Sequence, residues 1–169
     1  MKDLQYYFEM AKDELDILDI PYGNIISCTV NTRAKKRYGQ CVKKGNNYTI
    51  NISYRLLEDY VPTKSLMTVL CHEILHSVKG CMNHGEKWKQ YAELVNDCYD
   101  YNITTTSSDS KYSLKPLNIK KKPYKYIVKC KDCGKEYKYR RKTYWFDNPL
   151  KYKVRCNCGS LNIKVIQNY

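Results

Sequence analysis

The stretch "CHEILHSVKGCMNHGEKW", from Cys71 to Trp88, holds every histidine of the 169-residue chain. His72 and His76 are four residues apart, so on a helix they lie on one face, one turn from each other. Two imidazoles at that spacing can bind one metal ion. Glu73 lies between them, where its carboxylate can reach a water molecule on that metal, and this is the HExxH pattern of zinc hydrolases.

His84 is the natural third ligand, because a catalytic zinc takes three protein ligands and keeps one position open. Gly80 is expected to end the helix and lets the chain turn back. Glu73 would act as general base, taking a proton from the zinc-bound water and passing it to the leaving amine. The alternative is a chance match with ordinary surface or core histidines. The helical context, the helix-ending glycine and the lack of any other histidine weigh against it.

The flanking sequence predicts an α+β fold, with a helix, a small antiparallel or mixed sheet and a zincin-like active-site helix, followed by a small β zinc ribbon. Apolar residues at helical spacing predict the first helix, and β-branched or alternating residues predict the strands. The expected elements are a helix over 2–18, a strand over 25–31, a hairpin over 38–53, the histidine-bearing helix from Pro62-Thr63 and a further helix over 85–100.

The net charge of +13 is unevenly distributed. Residues 1–100 hold 13 Lys+Arg and 13 Asp+Glu, whereas residues 101–169 hold 17 and 4. A basic half favours nucleic acid, DNA above all, as a partner, although a merely solvated basic surface is the alternative. A polar, Ser/Thr-rich and then Lys-rich stretch separates the parts. We therefore expect a metalloprotease domain over 1–102, a linker over 103–123 and a basic Cys₄ ribbon over 124–169.

Four cysteines of the basic half have the spacing of a metal site. Cys130 and Cys133 form one pair, Cys156 and Cys158 form another, and 22 residues lie between the two pairs. Two such pairs fit a Cys₄ zinc ribbon. The second pair has one intervening residue where a ribbon usually has two, which leaves its geometry open. The alternative is four free thiols in a small β unit, which has few apolar residues for a core of its own.

Basic and aromatic residues alternate between the two cysteine pairs. Such residues can contact phosphates and stack on unpaired bases. The alternation fits equally well a hairpin with its aromatic residues packed inside. The candidates are Lys138, Arg140, Arg141, Lys142, Tyr144 and Trp145. The remaining cysteines are expected to be small buried hydrophobic residues: Cys28, Cys41, Cys71, Cys81 and Cys98.

The segment "HEILHSVKGCMNHGEKW" resembles the SprT-like metalloprotease domain, whose motif is HExxH, a spacer and HGxxW. The second part is here His84 to Trp88. Upstream, "NTRAKKRYGQC" and "YTINISYRLL" look like the family's strand pair, and a zinc ribbon often follows downstream in that family. The resemblance implies a compact helix–sheet–helix zinc protease domain. It also implies a link to cleavage of proteins crosslinked to DNA, as in the eukaryotic Spartan proteases.

The combined expectation is a zinc metallopeptidase with one catalytic and one structural zinc, acting on a protein substrate and recruited to nucleic acid. A non-catalytic, zinc-containing nucleic-acid-binding adaptor is the alternative, and a zinc peptidase without a nucleic-acid role is a third reading. The predicted sheet edge at Tyr48 to Ser53 would hold an extended substrate by strand addition. A mixed, acidic N-terminus and the lack of a long apolar run predict a cytoplasmic protein without membrane contact.

Overall fold

The computed structural model describes residues 1–117 and 123–167. They belong to two units, Met1–Leu117 and Asn118–Tyr169. The first unit holds α1 (Leu4–Ile17), β1 (Asn24–Asn31), β2 (Gly39–Lys44), β3 (Asn47–Ser53), a 3₁₀ turn (Tyr54–Leu57), α2 (Thr63–Leu75) and α3 (Glu86–Tyr99). The second holds β4 (Tyr126–Cys130), β5 (Glu136–Tyr139) and β6 (Ile163–Gln167). The predicted α+β class is confirmed.

The first sheet has the strand order β1-β3-β2, with β1 parallel and β2 antiparallel to β3. The alternation of Tyr48, Ile50 and Ile52 buries one face of β3, as the sequence predicts. The prediction that Tyr48 to Ser53 is a sheet edge is wrong, because β3 is paired on both sides. The hairpin pattern reveals the β2 partner, but nothing in it reveals the parallel pairing with β1. In the described part of the first unit, β1 and β2 are the edge strands.

Helix α2 is the centre of the first unit and packs against α1, the sheet and α3. It is buried on almost every side, with Leu66, Leu70 and Ile74 fully enclosed. The helix ends at Leu75, before the expected stop at Gly80. The backbone then turns, and Gly80 adopts a φ of +89° in that turn, a conformation that glycine reaches without strain. The metal motif therefore lies at the end of a rigid, buried helix.

The segment 103–117, expected to be part of a linker, belongs to the first unit. Ile103, Tyr112 and Leu114 are buried in its core, which a free linker would not allow. The polar composition is misleading because these few apolar residues, together with specific hydrogen bonds, are enough to fix the segment. Residues 118–122 of the predicted linker lie outside the described residues.

The second unit is built on an antiparallel sheet of order β5-β4-β6. Its small core includes Val128 and Phe146 together with two of the cysteines. The ring of Phe146 packs edge-on against Tyr126 and Tyr139, with ring centroids 5.1 Å apart in both pairs. Within residues 1–117 and 123–167, no helix is long and apolar enough to cross a membrane.

Candidate metal centres

Three elements of the first unit bring the histidines together. His72 lies in the last turn of α2, His76 follows the helix directly, and His84 lies just before α3. The Nε2 atom of His72 is 3.3 Å from Nε2 of His76 and 3.1 Å from Nε2 of His84. The ligand atoms of the three residues lie within 4.8 Å of one another. The predicted trio is thus assembled in a geometry that can hold one metal ion.

The buried indole of Trp88, in the first turn of α3, supports all three rings. Its centroid lies 4.8 Å from that of His72, 5.5 Å from that of His76 and 4.5 Å from that of His84. The contact of Trp88 with all three rings is visible only in the structure. The HGxxW motif thus supplies the ligand His84 and also Trp88, the side chain against which the three imidazole rings pack.

Hydrogen bonds at the far side of two rings select the metal-binding tautomer. The Nδ1 atom of His76 lies 2.8 Å from the carbonyl oxygen of Cys81 and donates to it, which leaves a lone pair on Nε2. The ring of His72 hydrogen-bonds the backbone of Thr104. Its Nε2 faces the other two rings, which assigns that bond to Nδ1. Lone pairs that converge at about 3 Å repel each other unless a cation lies between them, so the residues fit a metal ion.

The three imidazoles are poised in their neutral, ligating form. Burial and the neighbouring rings lower the pKa of His72 to about 3. Burial also lowers the pKa of His76 and that of His84. A neutral imidazole has the lone pair that a metal requires, so binding needs little or no proton release near neutral pH.

Glu73 lies on α2 beside the trio and is 7% exposed. Burial raises its pKa to about 8, against a hydrogen bond from the Cys41 backbone and the nearby charge of Arg37. Strand β2 packs directly on this side chain, because a Cβ on Gly39 would lie 2.5 Å from both Cγ and Oε1 of Glu73. This role of Gly39 is not among the sequence-based predictions, although a glycine inside a strand is a signal of close approach.

A cavity of about 630 Å³ opens over the trio and Glu73. Residues 34–41 line one side of it, and Thr105 to Ser107 line another. The edge strand β2 therefore runs along the cavity wall, next to the glutamate. A site with converging imidazoles, a buried carboxylate and an accessible cavity can bind a metal and leave room for a substrate.

The four cysteines of the second unit also converge, with their Sγ atoms within 4.8 Å of one another. Cys130 pairs with Cys158 at 3.7 Å, and Cys133 with Cys156 at 3.5 Å. The single residue between Cys156 and Cys158 does not prevent this arrangement. The cluster fits a zinc ribbon.

Hydrogen bonds at the cysteine cluster lower the pKa of two of the four thiols, Cys130 and Cys156, and raise that of Cys133. The N–H of Gly134 donates to the Cys130 carbonyl at 3.0 Å and the N–H of Gly159 to the Cys156 carbonyl at 2.8 Å, both glycines having positive φ. The backbone of Cys158 and the hydroxyl of Tyr137, which lies 3.3 Å from the sulfur, lower the pKa of Cys156 to about 6. Thiolate is the form that a metal binds.

The nucleic-acid candidates divide into two groups. Trp145 is half-buried and packs edge-on against Tyr139 and Phe146, as the hairpin alternative predicts in part. Tyr144 is 78% exposed and contacts Tyr152, a neighbour that the sequence analysis missed. The remaining candidates are exposed basic residues: Lys138, Arg140, Arg141 and Lys142. Of these, Lys142 pairs with Asp147, and Arg140 lies 4.5 Å from the centroid of the Tyr124 ring.

The five other cysteines differ in exposure. Cys71 and Cys81 are buried, and Cys28 and Cys41 are half-buried. The prediction is wrong for Cys98, which is exposed, because it lies on the solvent face of α3 near the end of that helix.

The SprT-like family model matches residues 7–107, more than half of the chain. The matched range contains the three histidines, Glu73 and Trp88, and it ends within the segment that lines the cavity. No curated protein matches the chain closely enough to count as a relative.

Proposed function

The chain belongs to the SprT-like family, and from that premise we propose that it is a zinc-dependent protease. The family is generally associated with metalloprotease activity. The observation that carries the proposal is the placement of Glu73, a buried carboxylate at the base of an open cavity beside three converging imidazoles. A purely structural zinc site needs neither the carboxylate nor the cavity.

Zinc held by His72, His76 and His84 would supply Lewis-acid activation of a water molecule and of the scissile carbonyl. Glu73 takes the proton from that water at a carboxylate oxygen and later delivers it to the nitrogen of the leaving amine. Burial raises the pKa of this carboxyl, and the positive charge of a bound zinc would oppose that rise, which favours the ionised form that a general base needs. The contact with Gly39 limits the positions open to the carboxylate.

The substrate is proposed to bind as an extended peptide along β2. This strand lies at the edge of the sheet, and three of its residues, Gly39, Gln40 and Cys41, line the cavity. Its outer backbone groups can pair with a peptide, as in strand addition. The docking strand is therefore β2, and not β3 as predicted from the sequence.

The second part of the proposal concerns DNA. The second unit would bind single-stranded DNA and so bring the protease to proteins that are bound or crosslinked to DNA. Residues 118–169 hold 15 Lys+Arg and 3 Asp+Glu. This excess attracts phosphates, and the exposed ring of Tyr144 offers a surface on which an unpaired base can stack. A protease without this recruitment and a non-catalytic adaptor are the competing functions.

The test is cleavage of a DNA-bound protein by the wild type and by Glu73→Gln, with and without single-stranded DNA. Metal content is measured first. The substitution is expected to keep the metal and to lower the rate by about 10²- to 10⁴-fold, the usual contribution of a general base. Glu93→Gln makes the same change on the exposed face of α3 and should cleave like the wild type.

The outcomes separate the competing functions. Cleavage that requires both Glu73 and DNA supports the whole proposal. Cleavage that requires Glu73 but not DNA leaves the protease and removes the recruitment. No cleavage by the wild type with both metal sites loaded would favour the adaptor.

A further inference from the structure

We infer that residues 103–117 form a strap that belongs to the metal centre, and that the ion pair between buried Arg55 and half-buried Asp109 positions this strap against His72. The inference rests on the proposed zinc site and adds a positioning device to it. The family match ends at residue 107, so Asp109 and the later part of the strap lie outside the matched range.

The strap begins at a fixed point. The side-chain amide of Asn96, on α3, accepts from the N–H of Ile103 at 2.7 Å and donates to the Ile103 carbonyl at 3.0 Å. The Ile103 side chain is buried in the core. The residue that follows is Thr104, the backbone partner of His72. Both backbone groups of the preceding residue are therefore tied to one helix.

A second tie holds the middle and the end of the strap. Arg55, which is only 4% exposed, donates to Asp109 at 2.8 Å and to the Lys115 carbonyl at 2.6 Å. The hydroxyl of Tyr38 donates to the same Asp109 carboxylate oxygen at 2.6 Å. The ring of Tyr112 packs edge-on against Tyr38 at 5.0 Å. A buried guanidinium needs these acceptors. If the strap moved away, the Arg55 charge would be left buried without a partner, which is energetically costly.

Between the two ties, hydrogen bonds within the strap itself hold its backbone in place. The Lys111 ammonium donates to Oγ1 of Thr104 at 2.6 Å and to the carbonyl of Thr106 at 3.2 Å. The Thr104 hydroxyl donates to the same Thr106 carbonyl at 2.8 Å. The stretch from Thr105 to Ser107 lines the cavity over the trio. These bonds fix the Thr104 backbone, which in turn orients the His72 ring through a hydrogen bond.

His72 and His76 therefore differ in how their rings are held. His76 bonds the carbonyl of Cys81, five residues along the chain, which a local turn supplies. His72 depends on Thr104, 32 residues away, and through it on Asp109. Partners of this kind typically change metal affinity by about 10- to 100-fold. Loosening the strap should thus disturb the position of His72 and leave that of His76 unchanged.

The test compares zinc-loaded wild type, Asp109→Asn and Asp100→Asn. Asp100→Asn removes a carboxylate from an exposed ion pair with Lys64 and is the matched control. Zinc release to a chromogenic chelator gives the affinity, and the fraction absent in His72→Ala identifies the histidine site. Proton NMR of the imidazole N–H groups then reports the His72 and His76 hydrogen bonds separately.

We expect Asp109→Asn to bind zinc at the histidines about 10- to 100-fold more weakly. Its His72 N–H signal should be lost to exchange while the His76 signal stays, and Asp100→Asn should match the wild type. Wild-type affinity with both signals present in Asp109→Asn would overturn the inference alone. Loss of both signals together would also overturn it, because the pair would then only stabilise the fold. A wild type without zinc at the histidines would overturn the proposed function and the inference with it.

Lys111→Met is the second variant, for the case in which Asp109→Asn does not fold. It removes the ammonium that bridges Thr104 and Thr106 and leaves the Arg55–Asp109 pair intact. We expect a few-fold loss of zinc affinity with the same selective effect on the His72 signal. An unchanged affinity in this variant, with both signals present, would overturn the inference.

Discussion

The two metal clusters of this protein are placed by opposite means. The histidines project from the buried end of α2 and from the loop before α3, where a packed core and Trp88 fix them. The cysteines lie at β4 and in short turns, beside the small core of the second unit, which includes Val128 and Phe146. The first unit positions its metal ligands by packing, whereas we expect the second unit to need its metal in order to fold. This difference separates a centre that can do chemistry from one that holds a fold.

The largest expected effect is the loss of the second unit when one thiolate is removed. Cys156→Ala leaves three ligands and a core too small to fold by itself. Amide NMR should lose the dispersed signals of Val128 and Val165, while those of Leu70 and Ile74 in the first unit stay in place. Cys98→Ala, at an exposed cysteine, is the control and should change neither unit. A folded second unit in the Cys156 variant would mean that its fold does not depend on the complete cysteine site.

The converse substitution is His76→Ala. Removing one ligand should lower zinc affinity at the trio by more than about 100-fold, and the first unit should stay folded because α1, α2 and the sheet pack without the metal. Native mass spectrometry should show two zinc ions per wild-type chain and one per variant chain. Circular dichroism should show unchanged helix content. Unfolding of the first unit would mean that both units depend on metal in the same way.

Gly39→Ala tests whether the first site is arranged for chemistry and not only for metal binding. The new Cβ would collide with Glu73 at 2.5 Å and displace its carboxylate. We expect kcat to fall by about 10- to 100-fold with zinc retained, since small misplacements of catalytic groups have effects of this size. Gly45→Ala, in the turn of the same hairpin, meets no atom within 4 Å. Its positive φ will cost some stability, but kcat should not change.

The sequence predicts the ligands well because the chemistry restricts both residue type and spacing. His72, Glu73 and His76 can be assigned from one helical turn, and the cysteine pairs from their short spacing. The sequence does not predict contacts made between distant elements. The parallel pairing of β1 with β3, the approach of Gly39 to Glu73 and the tie between Arg55 and Asp109 are of that kind. Each depends on tertiary packing that leaves only a weak local pattern.

The strap is a second case in which local sequence does not predict tertiary position. Its Ser/Thr-rich composition is typical of linkers. Composition describes the segment on average, however, and does not show what its few apolar or charged residues contact. Its position is determined by exceptions, namely Ile103, Tyr112 and Leu114 in the core and Asp109 on a buried guanidinium. A segment with few apolar residues can be fixed when those residues and one ion pair find partners. The first unit therefore extends beyond the predicted boundary at residue 102.

The smallest expected effect concerns the substrate and the open side of the first site. A peptide that adds to β2 would pair through alternate backbone groups only, because successive amides of a strand point to opposite sides. N-methylation of the substrate at one set of alternate positions should raise KM by about 3- to 10-fold per amide, the effect of one lost hydrogen bond. Methylation at the other set should change KM little, and neither should alter zinc content. Equal effects at both sets would place the peptide away from β2, because a strand paired along one edge uses only alternate amides.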